Sequence, residues 1–525
     1  MKSLKEGRTG ASAHRRSKLA AALGAGLLVA ALTACGGSGG KAAGSTDTLK
    51  MALPGWSPVN FDLPTNCTSP IFDFAYEPLI RISDDGGFAP GIAASWDYSE
   101  GNTIFTMKIR DGVKFADGTD LTVESVVDTL NYYKKTPGLN TEAYFSPLTI
   151  EAKGSDSVQV TSETPTRGME DLFSTELCNN GLIISEAGLA EPEKMKTEMF
   201  GAGPYVYSPE ESEPGDHYTY VPNEHYFDKT RQSWEKVELS VIGDPNTAFN
   251  ALTTGQVQAS LTGGAQLLSQ AEEKGLDVDE RVLWGAGIFV WDREGEISKP
   301  LADERVRQAV ALAMDRDSLV SAATPGTKPQ DQFASPALLG WDADLKSKYS
   351  YDVDRAKQLL DDAGYPDGFS VTLLSNHDDV EAQNVLVAAV EQLRQIGVEI
   401  EIKSSPESTF FTDITSKEFP LGFASWTFMG DMLYQSDRLY KLPYSAPLNP
   451  FESVDPDLEA AYEELQSSDD SGLEEAAMQF NEVMTEKAWY IPLTSSPLHV
   501  YSTGVEIGQS SPIGNYDYAG WTPKD

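Results

Sequence analysis

The chain has 525 residues, with 40 Lys and Arg against 80 Asp and Glu and a formal net charge of -40 at neutral pH. That sign excludes nucleic acid as a natural partner, since a polyanion would be repelled. The length exceeds what one ordinary hydrophobic core organises, so at least two lobes are expected, and the acid is spread along the chain rather than gathered in a tail.

At the N-terminus, Lys2, Lys5, Arg8, Arg15, Arg16 and Lys18 precede an uncharged stretch from Leu19 to Leu32. This is the basic and apolar pattern of an export signal, and it is too short to span a bilayer. Leu32-Thr33-Ala34-Cys35 closes it with small residues and a cysteine. Those four residues resemble the lipobox of bacterial lipoproteins. The resemblance implies removal of residues 1–34 as a lipoprotein signal peptide, a diacylglycerol on the Cys35 thiol, and a chain anchored by lipid to the outer face of the cell membrane. A plain secretory signal is the alternative; a twin-arginine route is disfavoured because Lys18 sits where that signal wants an apolar residue.

Without residues 1–34 the chain keeps 34 basic and 79 acidic residues, a net charge of about -45. Residues 35–46 are rich in Gly, Ser and Ala and form a flexible tether. Gly36-Gly37-Ser38-Gly39-Gly40 matches an esterase nucleophile pattern only formally, because a glycine linker supplies neither the strand nor the helix that the chemistry needs. With Cys35 lipidated, Cys67 and Cys178 remain in an oxidising compartment. A disulfide between them is the economical reading, worth roughly 4 kcal/mol on the chain-entropy model, and two unpaired buried thiols are the alternative.

Folding starts near Asp47, where Leu49, Met51 and Leu53 alternate as a first strand. Phe105, Met107 and Ile109 give a strand one apolar face, and Asp-Gly turns follow at 111 and 117. Thr122 then caps a helix with Val126, Val127, Leu130 and Tyr133 on one face. Val237–Ile242, a helix capped by Asp244 and Val257–Leu261 read as a βαβ unit. In the second half, Val306, Ala309, Val310 and Ala313 share a helix face, and Asp352 caps a helix ended by Gly364. Phe369–Leu374, a helix from Val380 to Ile396 and Val398–Ile402 form a second βαβ unit. No repeat relates the halves.

Catalytic signals are lacking. His217 and His225 do not have the helical spacing or added carboxylates of a zinc hydrolase, and the Asp-Asp-Gly runs at Asp84 and Asp361 break the spacing of a calcium loop. Neither a cofactor nor a metal is expected.

Seven motifs stand in order: Tyr76-Glu77-Pro78-Leu79; Pro90 to Trp96; Phe105 to Gly118; Gly201-Ala202-Gly203-Pro204-Tyr205; Asn223 to Phe227; Asp303 to Arg316; and Ala356 to Gly364. Together they resemble the extracellular solute-binding proteins of ABC importers, family 5, the peptide and nickel class. The resemblance implies an α/β, two-lobed periplasmic-binding-protein-like fold (type II, large peptide-binding class) whose lobes are joined by a hinge and close on a ligand. Lobe I takes residues 47–284 with an inserted small subdomain, lobe II takes 285–487, and 488–525 return to lobe I. It also implies a monomer that is not an enzyme and that delivers solute to a membrane permease driven by an ATPase. A secreted hydrolase is the rival class.

Ligand contacts are expected in Phe423-Ala424-Ser425-Trp426-Thr427-Phe428-Met429-Gly430-Asp431, with strand packing the alternative for this stretch. In peptide-binding relatives the matching stretch pairs a tryptophan with an aspartate that holds the peptide amino terminus. Here Asp431 stands five residues after Trp426 rather than three, the usual following proline is missing, and uncharged residues precede Trp426 where carboxylate-binding relatives carry arginine. The candidate contacts are Trp426, Asp431, Phe423, Phe428, Asn66, Tyr144 and Trp291, and the loop around Cys67 is expected beside the cleft. Peptide ranks first as ligand, oligosaccharide second, and nickel or its chelate third.

Overall fold

The computed structural model describes residues 47–55, 57–66, 70–83, 87–138, 144–176, 178–263, 265–323, 326–336, 338–376, 380–427, 432–440, 448–508 and 516–524. At 263, 282–284, 380, 381, 407, 426, 427, 438 and 440 it describes the main chain alone. The export signal, Cys35, the tether, Cys67, the turn at Asp84, Phe428 and Asp431 lie outside the described residues.

Local sequence starts the helices. The side chains of Thr122, Asp244, Asp303 and Asp352 each accept a hydrogen bond from a first-turn N–H of Val123–Lys135, Pro245–Thr253, Glu304–Leu312 and Val353–Asp362. Each satisfies a donor that the helix cannot pair internally. Gly364 and Gly397 follow two helix ends with φ of 91° and 82°, a left-handed turn that suits glycine.

Eleven strands among the described residues form one mixed sheet. From one edge its order is Val398–Ser405, Phe369–Asn376, Leu421–Thr427, Asp277–Val290, Tyr490–Ser502, Ala259–Gly263, Thr48–Leu53, Lys236–Val241, His217–Pro222 and Tyr205–Tyr207, with Lys328–Pro329 added to Tyr490–Ser502. The second βαβ unit is as expected, with Phe369–Asn376 and Val398–Ser405 adjacent and parallel. The first differs. Lys236–Val241 and Ala259–Gly263 are both parallel to Thr48–Leu53, which lies between them, an insertion from almost two hundred residues away that a local pattern does not reveal. A separate antiparallel sheet holds Ala93–Ser99, Ile104–Ile109, Ser157–Thr161 and Thr149–Lys153.

The two ends of the main sheet bury separate cores. Leu49, Met51, Tyr205, Tyr220, Leu239 and Trp521 belong to the first, which also takes in the small sheet through Phe105 and Val160. At the other end each face has its own core, because strand residues alternate. Ala286, Ile288 and Val290 enter one; Phe289 and Trp291 enter the other. Asp277–Val290 and Tyr490–Ser502 pair antiparallel through the middle of the sheet and serve both ends. On the latter, Val500 packs in the first core, whereas Ile491 and Leu493 pack in the second. The boundary expected at 284 and 285 falls inside one continuous strand.

Candidate functional site

Leu421–Thr427 sits between Asp277–Val290, where Phe423 pairs with Ile288 and Trp426 with Gly285, and Phe369–Asn376, where Ser375 pairs with Phe423. Both of its faces are covered at 421–424, and two of the expected contacts are packed in cores there. Phe423 packs with Leu421 in the second core and is 1% exposed. Trp291 is equally buried, stacked on Phe289 with ring centroids 6.5 Å apart. Its indole lies over Gly422 so closely that a Cβ there would stand 2.2 Å from the ring. In the described structure the two side chains belong to different cores, Phe423 to the second and Trp291 to the third. Of Trp426 the main-chain register alone is described.

Past the strand, the helix Met432–Tyr440 joins the two ends of the molecule. Met432, Leu433 and Leu439 pack in the third core, whereas Tyr434 reaches the first. There its ring lies 6.1 Å from that of Tyr144, tilted by 38°. Tyr144 is thus brought against the element that follows the aromatic stretch. Tyr434 escaped the sequence reading, although it lies only three residues beyond Asp431 on an amphipathic helix.

Asn66 is committed to its own loop. Its Nδ2 donates to Asp62 O at 2.7 Å and to Asn60 Oδ1 at 3.0 Å, while its carbonyl accepts from Asn179 Nδ2 at 2.9 Å. The last bond ties the chain just before Cys67 to the residue after Cys178. Cys178 is disulfide-bonded and has a φ of 58°. Around it, Asp171, Ser174, Glu176, Asn179 and Asn180 form a buried polar segment. The fully buried Asn180 amide has no hydrogen-bond partner among the described residues, and such a group is one that a ligand or ordered water satisfies.

Two further polar cavities lie inside the cores. One, of about 20 Å³, is lined by Asp73, Glu77, Arg81, Arg231 and Asp517. Arg231 Nη2 donates to both Asp517 oxygens at 2.5 and 2.7 Å, and Glu77 holds Arg81 and the Tyr226 hydroxyl. Both Asp73 oxygens lack a partner among the described residues. Burial raises the Asp73 carboxyl well above its ordinary value, Asp517 adds to this, and Arg231 opposes it. The second cavity, of about 10 Å³, is bounded by Arg316, Asp331, Tyr349 and Tyr490. Spaces of this size suit a water molecule, not a peptide or a sugar. Among the described residues no group of three or more His, Cys, Asp or Glu is placed to hold a metal, and no helix is long and apolar enough to cross a membrane.

Residues 87–442 match the family model of the bacterial extracellular solute-binding proteins, family 5 Middle. The chain is similar to the oligopeptide-binding protein AppA of Bacillus subtilis (strain 168), 26% identical over 357 residues that cover 64% of each chain. It is also similar to the glutathione-binding protein GsiB of Escherichia coli (strain K12), 25% identical over 344 residues, 62% of this chain and 63% of that one. The match spans a little under two thirds of the length of these relatives. Among solved structures, HbpA2 from Haemophilus parasuis superposes with a TM-score of 0.75 at 21% identity, covering 91% of this chain and 100% of that one. That likeness bears on the fold, which is the α/β periplasmic-binding-protein-like fold expected from the motifs. The family match runs from the small antiparallel sheet through Leu421–Thr427 to the helix that carries Tyr434, and so the chain belongs to the bacterial extracellular solute-binding proteins, family 5.

Proposed function

We propose that this protein is the solute-binding subunit of an ABC importer, which captures an oligopeptide between two lobes and passes it to a membrane permease whose ATPase supplies the energy. The observation that carries the reading is the family match over 87–442, which includes the aromatic stretch and the helix joining both ends of the sheet. The relatives are binding proteins, and binding needs only a closable cleft. Lobe I would comprise 47–284 and 488–525, and lobe II would comprise 285–487, with the two strands shared by both cores as the crossings. Cys35 would carry the lipid that holds a monomer at the outer face of the membrane. The Asn66–Asn179 bond supports Cys67 as the partner of Cys178. Mass measurement after alkylation of exported protein tests that pairing: two alkylated thiols without reductant would refute it.

Trp426 would offer a broad apolar face to any ligand, and Asp431 would anchor an amine through a charge-assisted hydrogen bond. Asp431→Asn should then cost roughly 2 to 3 kcal/mol of binding for a peptide, and Trp426→Ala should weaken binding of peptide and sugar alike. An oligosaccharide is the second reading, favoured by the uncharged residues before Trp426; it predicts that Trp426→Ala dominates and Asp431→Asn matters little. Mass spectrometry of the molecule retained after purification, followed by calorimetry with that molecule, tests the proposal. A ligand that the protein consumes catalytically would overturn it.

A further inference from the structure

Besides the two central strands, a polar contact joins the small antiparallel sheet to the helices of the far end. Asn102 sits in the hairpin turn between Ala93–Ser99 and Ile104–Ile109 with a φ of 62°, a conformation that Asn tolerates better than most residues. It is buried, and its Nδ2 donates to Ser468 O at 2.8 Å and Gln466 O at 3.1 Å. These carbonyls stand at the C-terminus of Pro456–Ser467, where a helix lacks internal partners. Thr166, the residue before Arg167, is bound to the same turn: its N–H donates to Asn102 O at 2.9 Å. The Arg167 N–H donates to Gln466 Oε1 at 2.9 Å, and its guanidinium pairs with Asp470 while resting 4.5 Å from the centre of the Tyr98 ring.

Gln466 carries the contact onward. Its Nε2 donates to Asp437 Oδ1 at 3.0 Å, and Tyr462 donates to the same oxygen at 2.8 Å. Asp437 belongs to Met432–Tyr440, the helix that directly follows the aromatic stretch. That helix also touches the first end of the molecule through Tyr434 on Tyr144 and through Leu433, whose Cβ would lie 3.3 Å from a Cβ added at Gly168. The chain Asn102–Gln466–Asp437 therefore runs from a hairpin in the first half to the base of the segment proposed to hold ligand.

We propose that Asn102 and Arg167 are positioning residues for that segment: by clamping Gln466 and Ser468 they fix helix Met432–Tyr440, which follows it in the chain. The inference rests on the reading of 423–431 as the ligand segment. The buried Asn102 amide carries most of the effect, since Asp470 is 92% exposed and its ion pair with Arg167 is screened by water. The contact acts on the lifetime of a bound complex rather than on its encounter rate, because it holds the two halves together once the ligand segment is in place.

Hydrogen exchange in ligand-free protein tests the clamp independently of ligand. Asn102→Gly keeps the backbone conformation and removes the amide, and Asp470→Ser, at the surface, removes the ion pair without threatening the fold. The double variant should exchange about tenfold faster at 432–440 and 466–468, with wild-type rates in Phe369–Asn376 and Val398–Ser405. A pool of short peptides with free amino termini should then dissociate about tenfold faster while associating at the wild-type rate. Unchanged exchange at 432–440 overturns the clamp, and faster exchange with unaltered dissociation overturns its role in holding ligand. Wild-type protein that binds no peptide of the pool counts against the peptide reading alone, and the exchange rates then decide the clamp.

Discussion

Arg231, half-buried at the first end of the sheet, and Arg316, buried at the second, have surroundings that treat the charge in opposite ways. Arg231 faces carboxylates. Burial by itself would lower its pKa, but Asp517 and Glu77 outweigh that and raise it. Arg316 meets no carboxylate within hydrogen-bond reach in the described structure; it donates to the carbonyls of Gln330 and Pro492 at 2.9 Å and of Tyr349 at 3.1 Å. Burial pushes it down to about 10, and Asp331 opposes only in part. The first cavity is thus an electrostatic joint between Pro70–Asp73, the turn at Arg231 and the C-terminal segment. The second is a knot of main-chain acceptors that uses Arg316 as a multivalent donor.

The largest effect should come from breaking the knot. Arg316→Met removes a donor from three carbonyls, those of Gln330, Tyr349 and Pro492, and should destabilise the fold by about 3 to 5 kcal/mol in urea unfolding. Arg316→Lys should restore little, because one ammonium cannot span acceptors arranged for a planar fork. Next comes the joint itself: Asp517→Asn keeps an acceptor but strips Arg231 of its charge partner, at a cost of about 2 to 3 kcal/mol, below that of a fully buried pair because both side chains are partly exposed.

The smallest effect has the opposite sign. Folding raises the Asp73 carboxyl above its unfolded value, so the stability it contributes is full at low pH, below about 4, and is lost as pH rises through the folded value. Asp73→Asn should therefore raise the melting temperature at pH 7, with the gain shrinking toward pH 4. In an Asp517→Asn background the sign should reverse, since Asp73 then becomes the partner of Arg231. Thermal melts of the wild type, the two single variants and the double variant at both pH values measure this, and a gain that persists undiminished at pH 4 would contradict the assignment.

The parts legible in the sequence are those whose causes are local. Thr122, Asp244, Asp303 and Asp352 cap the helices they precede because the cap and its donor lie within three residues of each other. The second βαβ unit was legible for a similar reason, since its strands are neighbours in the chain and in the sheet. The aromatic stretch is harder to read because both faces of its strand are covered at 421–424, and a strand buried on both sides loses the alternation that would tell a core face from a cleft face. Phe423, packed in the second core, is not distinguished from a cleft residue by its sequence on that account. Arg231 with Asp517 and Asn102 with Gln466 meet across 286 and 364 residues, distances at which composition and period carry no information.

The position of Tyr490–Ser502 has a consequence for how the chain folds. This strand follows the other strands of the sheet in the chain, yet it lies in the middle of the sheet, with Asp277–Val290 on one side and Ala259–Gly263 on the other. The first core likewise waits for Tyr516, Tyr518 and Trp521. Until Tyr490–Ser502 is in place, the chain has two half-sheets with unpaired edges and no strand to join them. Neither half can seal before that strand docks, and docking closes loops about two hundred residues long, which makes folding slow.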